Sequence, residues 1–207
     1  MDRTSDFHGG VSFRAMDLPI AGICPMSGEG TLRHGTAAVV AGLILETPRL
    51  LLRRFTLQDA EAIELFLGDP VVMEFYPAPL DRQGVAGWIQ RNLGRYERDG
   101  HGLWAMVLRD SHQVIGDCGC VIQEVEGKNE VEVGYHVRRD LWNHGYATEA
   151  ARACMEYAFT RLGARRVISM IRPPNIPSRR VAEKNGMVCE KIILWRDYEH
   201  CVYMKSQ

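Results

Sequence analysis

The sequence predicts an α/β (α+β) fold in which helices lie on the faces of one mixed sheet. Three observations predict it. Apolar residues recur with strand and helix periods in the order β-α-α-β-β-β-α-β-α-β-β. Between residues 103 and 137 strand-like runs dominate, separated by short polar turns. The 207 residues are 46% hydrophobic and 25% charged, which suits one sizeable core and is too balanced for a disordered or fibrous chain.

Regular patterning begins at Leu43, so residues 1–42 read as an irregular N-terminal extension and 43–207 as the folded domain. The extension holds Gly9-Gly10, Pro19, Pro25, Gly28 and Gly30 without a sustained period, and Met16 or Met26 could serve as a start. Leu43–Glu46 opens the pattern, and Arg49-Leu50-Leu51-Leu52-Arg53 is a strand-like run. Thr56-Leu57-Gln58-Asp59 has the spacing of a capping box, opening a helix that runs to Leu67 and stops at Gly68-Asp69-Pro70. A second helix spans Arg82 to Arg98, with Trp88, Ile89 and Leu93 on one stripe and Asp99-Gly100 at its end. Strands Leu103–Leu108, Gln113–Ile122 and Glu130–Val137 follow, joined by Asp110-Ser111-His112 and Glu126-Gly127-Lys128-Asn129. The third helix runs from Gly145 to Arg161. Ala147, Ala150, Ala151, Cys154, Ala158 and Leu162 form its inner face and Gly163 caps it. A strand Arg165–Ile171, a short helix Ser178–Asn185 and closing strands Val188–Leu194 and Glu199–Met204 finish the chain.

Charge and cysteine usage exclude several classes. Lys+Arg 25 against Asp+Glu 26 gives a net charge of -1, without the basic excess of a nucleic-acid binder. The longest apolar run, Thr36–Leu45, is half of the roughly 20 residues that span a bilayer, so no membrane partner is expected. Residues 1–10 carry Asp2 and Asp6 and lack the pattern of a secretory signal. The six cysteines contain no CxxC and no metal-ligand spacing with the histidines, so no metal site is expected. Cys118 and Cys120 alternate as two buried thiols on one strand face would, which fits a reducing cytoplasm without structural disulfides. No G-x-x-x-x-G-K-[ST] or G-x-G-x-x-G motif is present.

The segment Val131–Ala151 carries the most chemistry. A strand ends at Val137 and leads to a helix whose start holds Asn143-His144-Gly145-Tyr146-Ala147. A helix N-terminus offers about four unpaired N–H groups and the positive end of a dipole, which suit a pyrophosphate. Gly145 allows close backbone approach and Ala147 keeps the surroundings small. Alone, the loop reads equally well as a turn whose glycine eases a bend.

Together, Trp142-Asn143-His144-Gly145-Tyr146-Ala147-Thr148-Glu149-Ala150 and the later Asn175, Ser178 and Lys184-Asn185-Gly186-Met187 resemble the GNAT acetyltransferase superfamily. Thr47-Pro48-Arg49-Leu50-Leu51-Leu52-Arg53 and Asp69-Pro70-Val71-Val72-Met73 are similar to its branch of ribosomal-protein-alanine N-acetyltransferases and related small-amine enzymes. The resemblance covers residues 46 to 205. It implies a mostly antiparallel sheet of six to seven strands, splayed around an acetyl-CoA site and flanked by four helices. It also implies direct acetyl transfer from acetyl-CoA to an amine in a ternary complex, and a homodimer.

The resemblance assigns the pyrophosphate to Asn143, His144, Gly145, Tyr146, Ala147 and Thr148. Trp142 stands where the family usually has Arg or Gln, and Asn143 where the branch often has Gly. Asn175 is implied at the pantetheine arm, though it equally suits a turn or helix cap. The Val137 amide is implied as oxyanion donor. Arg138, Arg139 and Lys184 could meet the cofactor or simply be solvated.

Attack on a thioester needs a neutral amine, yet an alkylamine resembles lysine, with a pKa of about 10.4. The site must therefore accept a proton. Strand alternation puts Glu132, Gly134 and His136 on one face and Val133, Tyr135 and Val137 on the other. Glu132 matches the strand carboxylate that several GNAT enzymes use as general base; a structural salt bridge is the alternative. The tyrosine that many relatives use as general acid falls at Ala182 here, which leaves Ser178, equally suited to N-capping its helix. Tyr135 reads as core. Phe75, Tyr76, Trp88, Trp104 and Trp195 are candidates for an acceptor pocket or for the core. No acidic cluster suited to a polyamine is evident, which favours an amino acid, a peptide N-terminus or a small amine as acceptor. An acyl-CoA sensor without turnover is the competing class.

Overall fold

A computed structural model describes residues 42–207. The irregular extension expected before them lies, apart from Gly42, outside the described residues, as does Cys24. Eight strands and four α-helices occur among the described residues: β1 Leu43–Glu46, β2 Leu50–Arg53, α1 Ala60–Leu67, α2 Arg82–Asp99, β3 Leu103–Leu108, β4 Val114–Val125, β5 Lys128–Val137, α3 Tyr146–Thr160, β6 Arg166–Ile171, α4 Ile176–Lys184, β7 Val188–Trp195 and β8 Tyr198–Ser206. Single-turn 3-10 helices at Leu57–Asp59 and Arg139–Leu141 lead into α1 and the turn before α3.

All eight strands join one sheet in the order β1-β2-β3-β4-β5-β6-β8-β7. The count exceeds the six to seven expected because Thr47 donates its N–H to Leu50 O at 2.9 Å, folding Leu43–Glu46 back on β2 as a separate edge strand. Capping at the first helix follows the predicted box: the Thr56 amide donates to Asp59 Oδ2 at 2.7 Å. Asp59 also takes a buried bidentate pair from Arg53, at 2.7 and 2.8 Å. Burial alone would raise the Asp59 pKa, but the bonds and charge of Arg53 and the Thr56 bonds hold it below the usual carboxylate range. Helix α2 ends at Gly100, whose φ of 75° provides the left-handed cap. The β4–β5 turn is tighter than expected: Glu126 and Gly127, at φ 50° and 76°, make a two-residue hairpin of primed type.

Helices α1 and α2 cover one face of the sheet and α3 and α4 the other. The Trp88 indole of α2 meets Asp117 of β4, whereas Cys118, one residue on, faces Cys154 of α3 with sulfurs 3.5 Å apart. Cys120 donates to the Cys154 carbonyl at 3.4 Å, so both β4 thiols are buried on one face as predicted. The five described cysteines are free thiols. Leu50, Leu52, Ile63, Phe66, Met106 and Ile115 are fully buried in the core. Burying such a side chain contributes roughly 1.5–3 kcal/mol.

Strand neighbours are antiparallel everywhere but at the middle. There β5 and β6 run parallel and share a single register pair, Glu132 with Ile168. Past that pair the two strands part, and the gap between them is the feature that positions the site.

Candidate active site

Glu132 sits at the point where β5 and β6 separate. Its Oε1 accepts the Met170 N–H at 3.2 Å, and Ser169 Oγ donates to Val133 O at 2.7 Å just beyond. Burial pushes the Glu132 carboxyl above its usual range, opposed by the Met170 amide and the charges of Arg95 and Arg196. A half-buried carboxylate whose pKa is raised is a better proton acceptor than an ordinary one. Register fixes the direction of the remaining backbone. Arg138 donates its N–H to Ile115 O at 2.8 Å and His136 pairs with Asp117, so alternation turns the Val137 amide into the gap.

As strand alternation predicts, Glu132 and His136 share the face under α2. His136, which the sequence offered beside Glu132 either as a proton acceptor or as a packed or hydrogen-bonded histidine, is a centre of polar contacts. Its Nδ1 lies 2.7 Å from Asp117 Oδ1 and its Nε2 2.8 Å from the Tyr76 hydroxyl. Asp117, fully buried, also accepts the His136 amide at 3.1 Å and the Trp88 indole N–H at 3.1 Å. Tyr76 and Trp88 thus belong to the site. Trp104 does not: it is core, edge-on to Tyr157 at 5.1 Å, and Trp195 packs on His200 at the β7–β8 hairpin. Asp117 was missed, although a carboxylate inside an otherwise apolar strand between Gly116 and Cys118 is a legible signal.

The loop after β5 is tied at both ends. Trp142, whose substitution for Arg or Gln has no evident consequence in the sequence, donates its indole N–H to Val137 O at 2.8 Å and anchors the loop to the strand. Asn143 and Gly145 adopt φ of 64° and 82°, so Asn143 holds the left-handed conformation that glycine would supply. Helix α3 begins its ladder with Glu149 N–H to Gly145 O at 3.0 Å, leaving the preceding amides without an intrahelical partner. Asn143, His144 and Gly145 are exposed there, and Tyr146, Ala147 and Thr148 half-buried.

Arg49 clamps this loop from the turn before β2. Its Nη1 donates to His144 O at 2.9 Å and its Nε to Glu149 Oε2 at 2.7 Å, while its guanidinium lies 4.5 Å over the Tyr146 ring. Thr47 adds a 2.7 Å bond to Glu149 Oε1. Partial burial would raise the Glu149 pKa, but the Thr47 and Arg49 bonds hold it below the ordinary range. The two motifs at 47–53 and 142–150 are therefore one unit in space. A cleft of about 570 Å³ runs beside the loop along α3, lined in part by Arg49, Gly145, Thr148, Arg152 and Lys184. Arg138 and Arg139 have carboxylate neighbours instead, Asp140 at 2.6 Å and Asp69 at 3.5 Å.

At α4 the structure decides between the two side chains that the sequence offered as caps. Asn175 Oδ1 accepts the Ser178 N–H at 3.2 Å, so Asn175 is the cap, the helix starts at Ile176, and the Ser178 hydroxyl is free of that duty. Tyr135 donates its hydroxyl to the Ser178 carbonyl at 2.9 Å, which makes it a half-buried tie to α4. Ala182 is buried. Asn185 joins α4 to α3, donating to Thr148 O at 3.2 Å and accepting from Arg152 at 3.3 Å. Among the described residues no group of three or more His, Cys, Asp or Glu side chains suits a metal ion, and no helix is long and apolar enough to cross a membrane.

A family model described as an acetyltransferase (GNAT) domain matches residues 49–188. The uncharacterized protein YkkB of Bacillus subtilis (strain 168) is 36% identical over 150 residues, 72% of this chain and 87% of its own length. The uncharacterized N-acetyltransferase YnaD of the same organism is 33% identical over 144 residues, 69% of this chain and 81% of its own. Among solved structures, a GNAT-family acetyltransferase from Bacillus anthracis superposes with a TM-score of 0.67 at 27% identity, covering 78% of this chain and 96% of that one. RimL, a ribosomal L7/L12 α-N-protein acetyltransferase solved with coenzyme A, shares the fold at 15% identity and a TM-score of 0.65, covering 79% of this chain and 97% of its own. A splayed sheet, a helix-start loop at the end of its central strand and these likenesses agree: the chain belongs to the GNAT family of acetyltransferases.

Proposed function

We propose that the chain transfers the acetyl group of acetyl-CoA to a primary amine by direct attack in a ternary complex. One observation carries this reading: a half-buried carboxylate with a raised pKa, Glu132, stands where β5 and β6 part. The loop Asn143–Thr148 would hold the pyrophosphate through its unpaired amides, with Asn175 near the pantetheine arm. In the gap the thioester carbonyl would face the Val137 amide, which stabilises the oxyanion. Glu132 takes the proton that makes the ammonium nucleophilic. Ser178, relieved of capping, relays a proton from water to the departing thiolate, taking one up as it gives one. A thiolate with a pKa of about 8.5 accepts it readily near neutral pH.

The acceptor is read as an amino acid, a peptide N-terminus or another small amine, and the compartment as the cytoplasm. The test begins with calorimetric titration by acetyl-CoA and CoA, with NADH as control, then thiol release with a panel of amino acids, an alanine-N-terminal peptide and a diamine. Saturable binding of both CoA species with amine-dependent thiol release supports the reading; folded protein that binds neither would sink it. Glu132→Gln should lower kcat about 100-fold or more while CoA binding persists.

A further inference from the structure

Tyr76, His136 and Asp117 come from a loop and two strands, yet their polar atoms form one unbroken chain. Asp117 Oδ1 lies 2.7 Å from His136 Nδ1, and His136 Nε2 lies 2.8 Å from the Tyr76 hydroxyl. The carboxylate also accepts two further N–H groups, from the His136 amide and the Trp88 indole, each at 3.1 Å. An acceptor-only partner assigns the hydrogen to Nδ1 and leaves Nε2 to receive the Tyr76 O–H. Trp88 stands edge-on to the imidazole at 5.7 Å and the Tyr76 ring lies 5.1 Å from it, so the histidine ring is walled on two sides. Tyr76 is 44% exposed, but its hydroxyl is turned inward onto a histidine that is 8% exposed. Burial pushes the phenol up, and the charges of Asp117 and Glu132 add to that push, so its hydroxyl shares an electrostatic environment with the proposed base.

Acetylation of an ammonium breaks two N–H bonds, one before attack and one as the new N–C bond forms. One carboxylate handles one of these protons. We infer that Tyr76 is the second proton-handling group of the acceptor cleft, with His136 and Asp117 as positioning residues behind it. This rests on the acetyl-transfer reading above.

After the amine attacks, an N–H bond breaks and its proton forms a bond to Tyr76 Oη. The original Tyr76 proton moves to His136 Nε2, giving an imidazolium paired with the Asp117 carboxylate. The extra proton returns through Tyr76 to water as product leaves, which restores the starting tautomer. Nothing is oxidised or reduced. The arrangement has the logic of a nucleophile–histidine–carboxylate relay, with a phenol in the outer place.

Three variants in the full chain test the inference against a purely structural tie of the loop containing Tyr76. With the best acceptor from the amine panel, Tyr76→Phe should lower kcat about 10- to 100-fold and leave KM for acetyl-CoA unchanged. His136→Gln should do the same, and the double variant should fall no further than either single one. Nitrogen-15 NMR of the CoA complex should show His136 protonated at Nδ1 and bare at Nε2, with the Nε2 signal moved by Tyr76→Phe. A wild-type kcat in Tyr76→Phe, or an Nε2-protonated ring, overturns the inference while the acetyl-transfer reading stands. If the wild type binds CoA and releases no thiol with any amine of the panel, the acetyl-transfer reading falls and the proton role with it, even where the ring shows the expected tautomer.

Discussion

Position 132 keeps a carboxylate in a place that favours its neutral form. Because burial raises the Glu132 pKa, the folded protein binds a proton there more tightly than the unfolded chain does. The stability this brings is present below the unfolded-state pKa and is lost as pH rises through the folded one. Glu132→Gln removes that loss, so its melting temperature should exceed wild type by a few degrees at pH 8 and converge on it in acid, read by calorimetry across pH. The same raised pKa fixes the sign for activity: kcat/KM should fall on the acid side at a higher pH than an ordinary carboxylate would dictate. Asp59 is the opposite case. Its pKa is held down beside Arg53, so it stabilises above the unfolded-state pKa and loses that contribution as pH falls through the folded value. Asp59→Ala leaves the Arg53 guanidinium buried without its partner and should cost about 3–5 kcal/mol in urea unfolding.

Among the elements, the helix-start loop is held by a residue almost a hundred positions away. Arg49→Ala removes the bonds to His144 O and Glu149, so the loop must be ordered by the cosubstrate at binding. CoA affinity should weaken about tenfold, equivalent to roughly 1.4 kcal/mol, in a calorimetric titration, with the fold retained. The loop's place at a helix start was legible in the sequence, but its glycine alone suited a bend equally well, and only the motifs around it gave it chemistry. Its clamp was not legible, because no local rule links Arg49 to Glu149. Ser178 shows the same limit at one turn's range: two side chains could cap α4, and only geometry chose Asn175. The proton chain was half legible. Alternation paired Glu132 with His136, but Asp117 and Tyr76 reach the histidine through register and a loop path.

For the molecule as a whole, element order and strand faces followed from periodicity, while the strand count was low because one turn at Thr47 divides the first strand. The described residues hold a hydrophobic core, and the family match begins at residue 49. We therefore expect a chain of residues 42–207 to fold and to bind CoA within about twofold of the full chain, checked by calorimetry and circular dichroism. A larger loss would assign residues 1–41 a part in the site. The single register pair between β5 and β6 has a further consequence, in the order of events. Two inner strand edges left without each other expose amides to water, and a cosubstrate arm lying along β5 would take the place of the missing ladder. Amide hydrogen exchange at Tyr135 and Val137 should then slow sharply when CoA binds. An acceptor arriving before the cosubstrate would meet a floor with its middle missing, so turnover should be sequentially ordered, acetyl-CoA first and amine second.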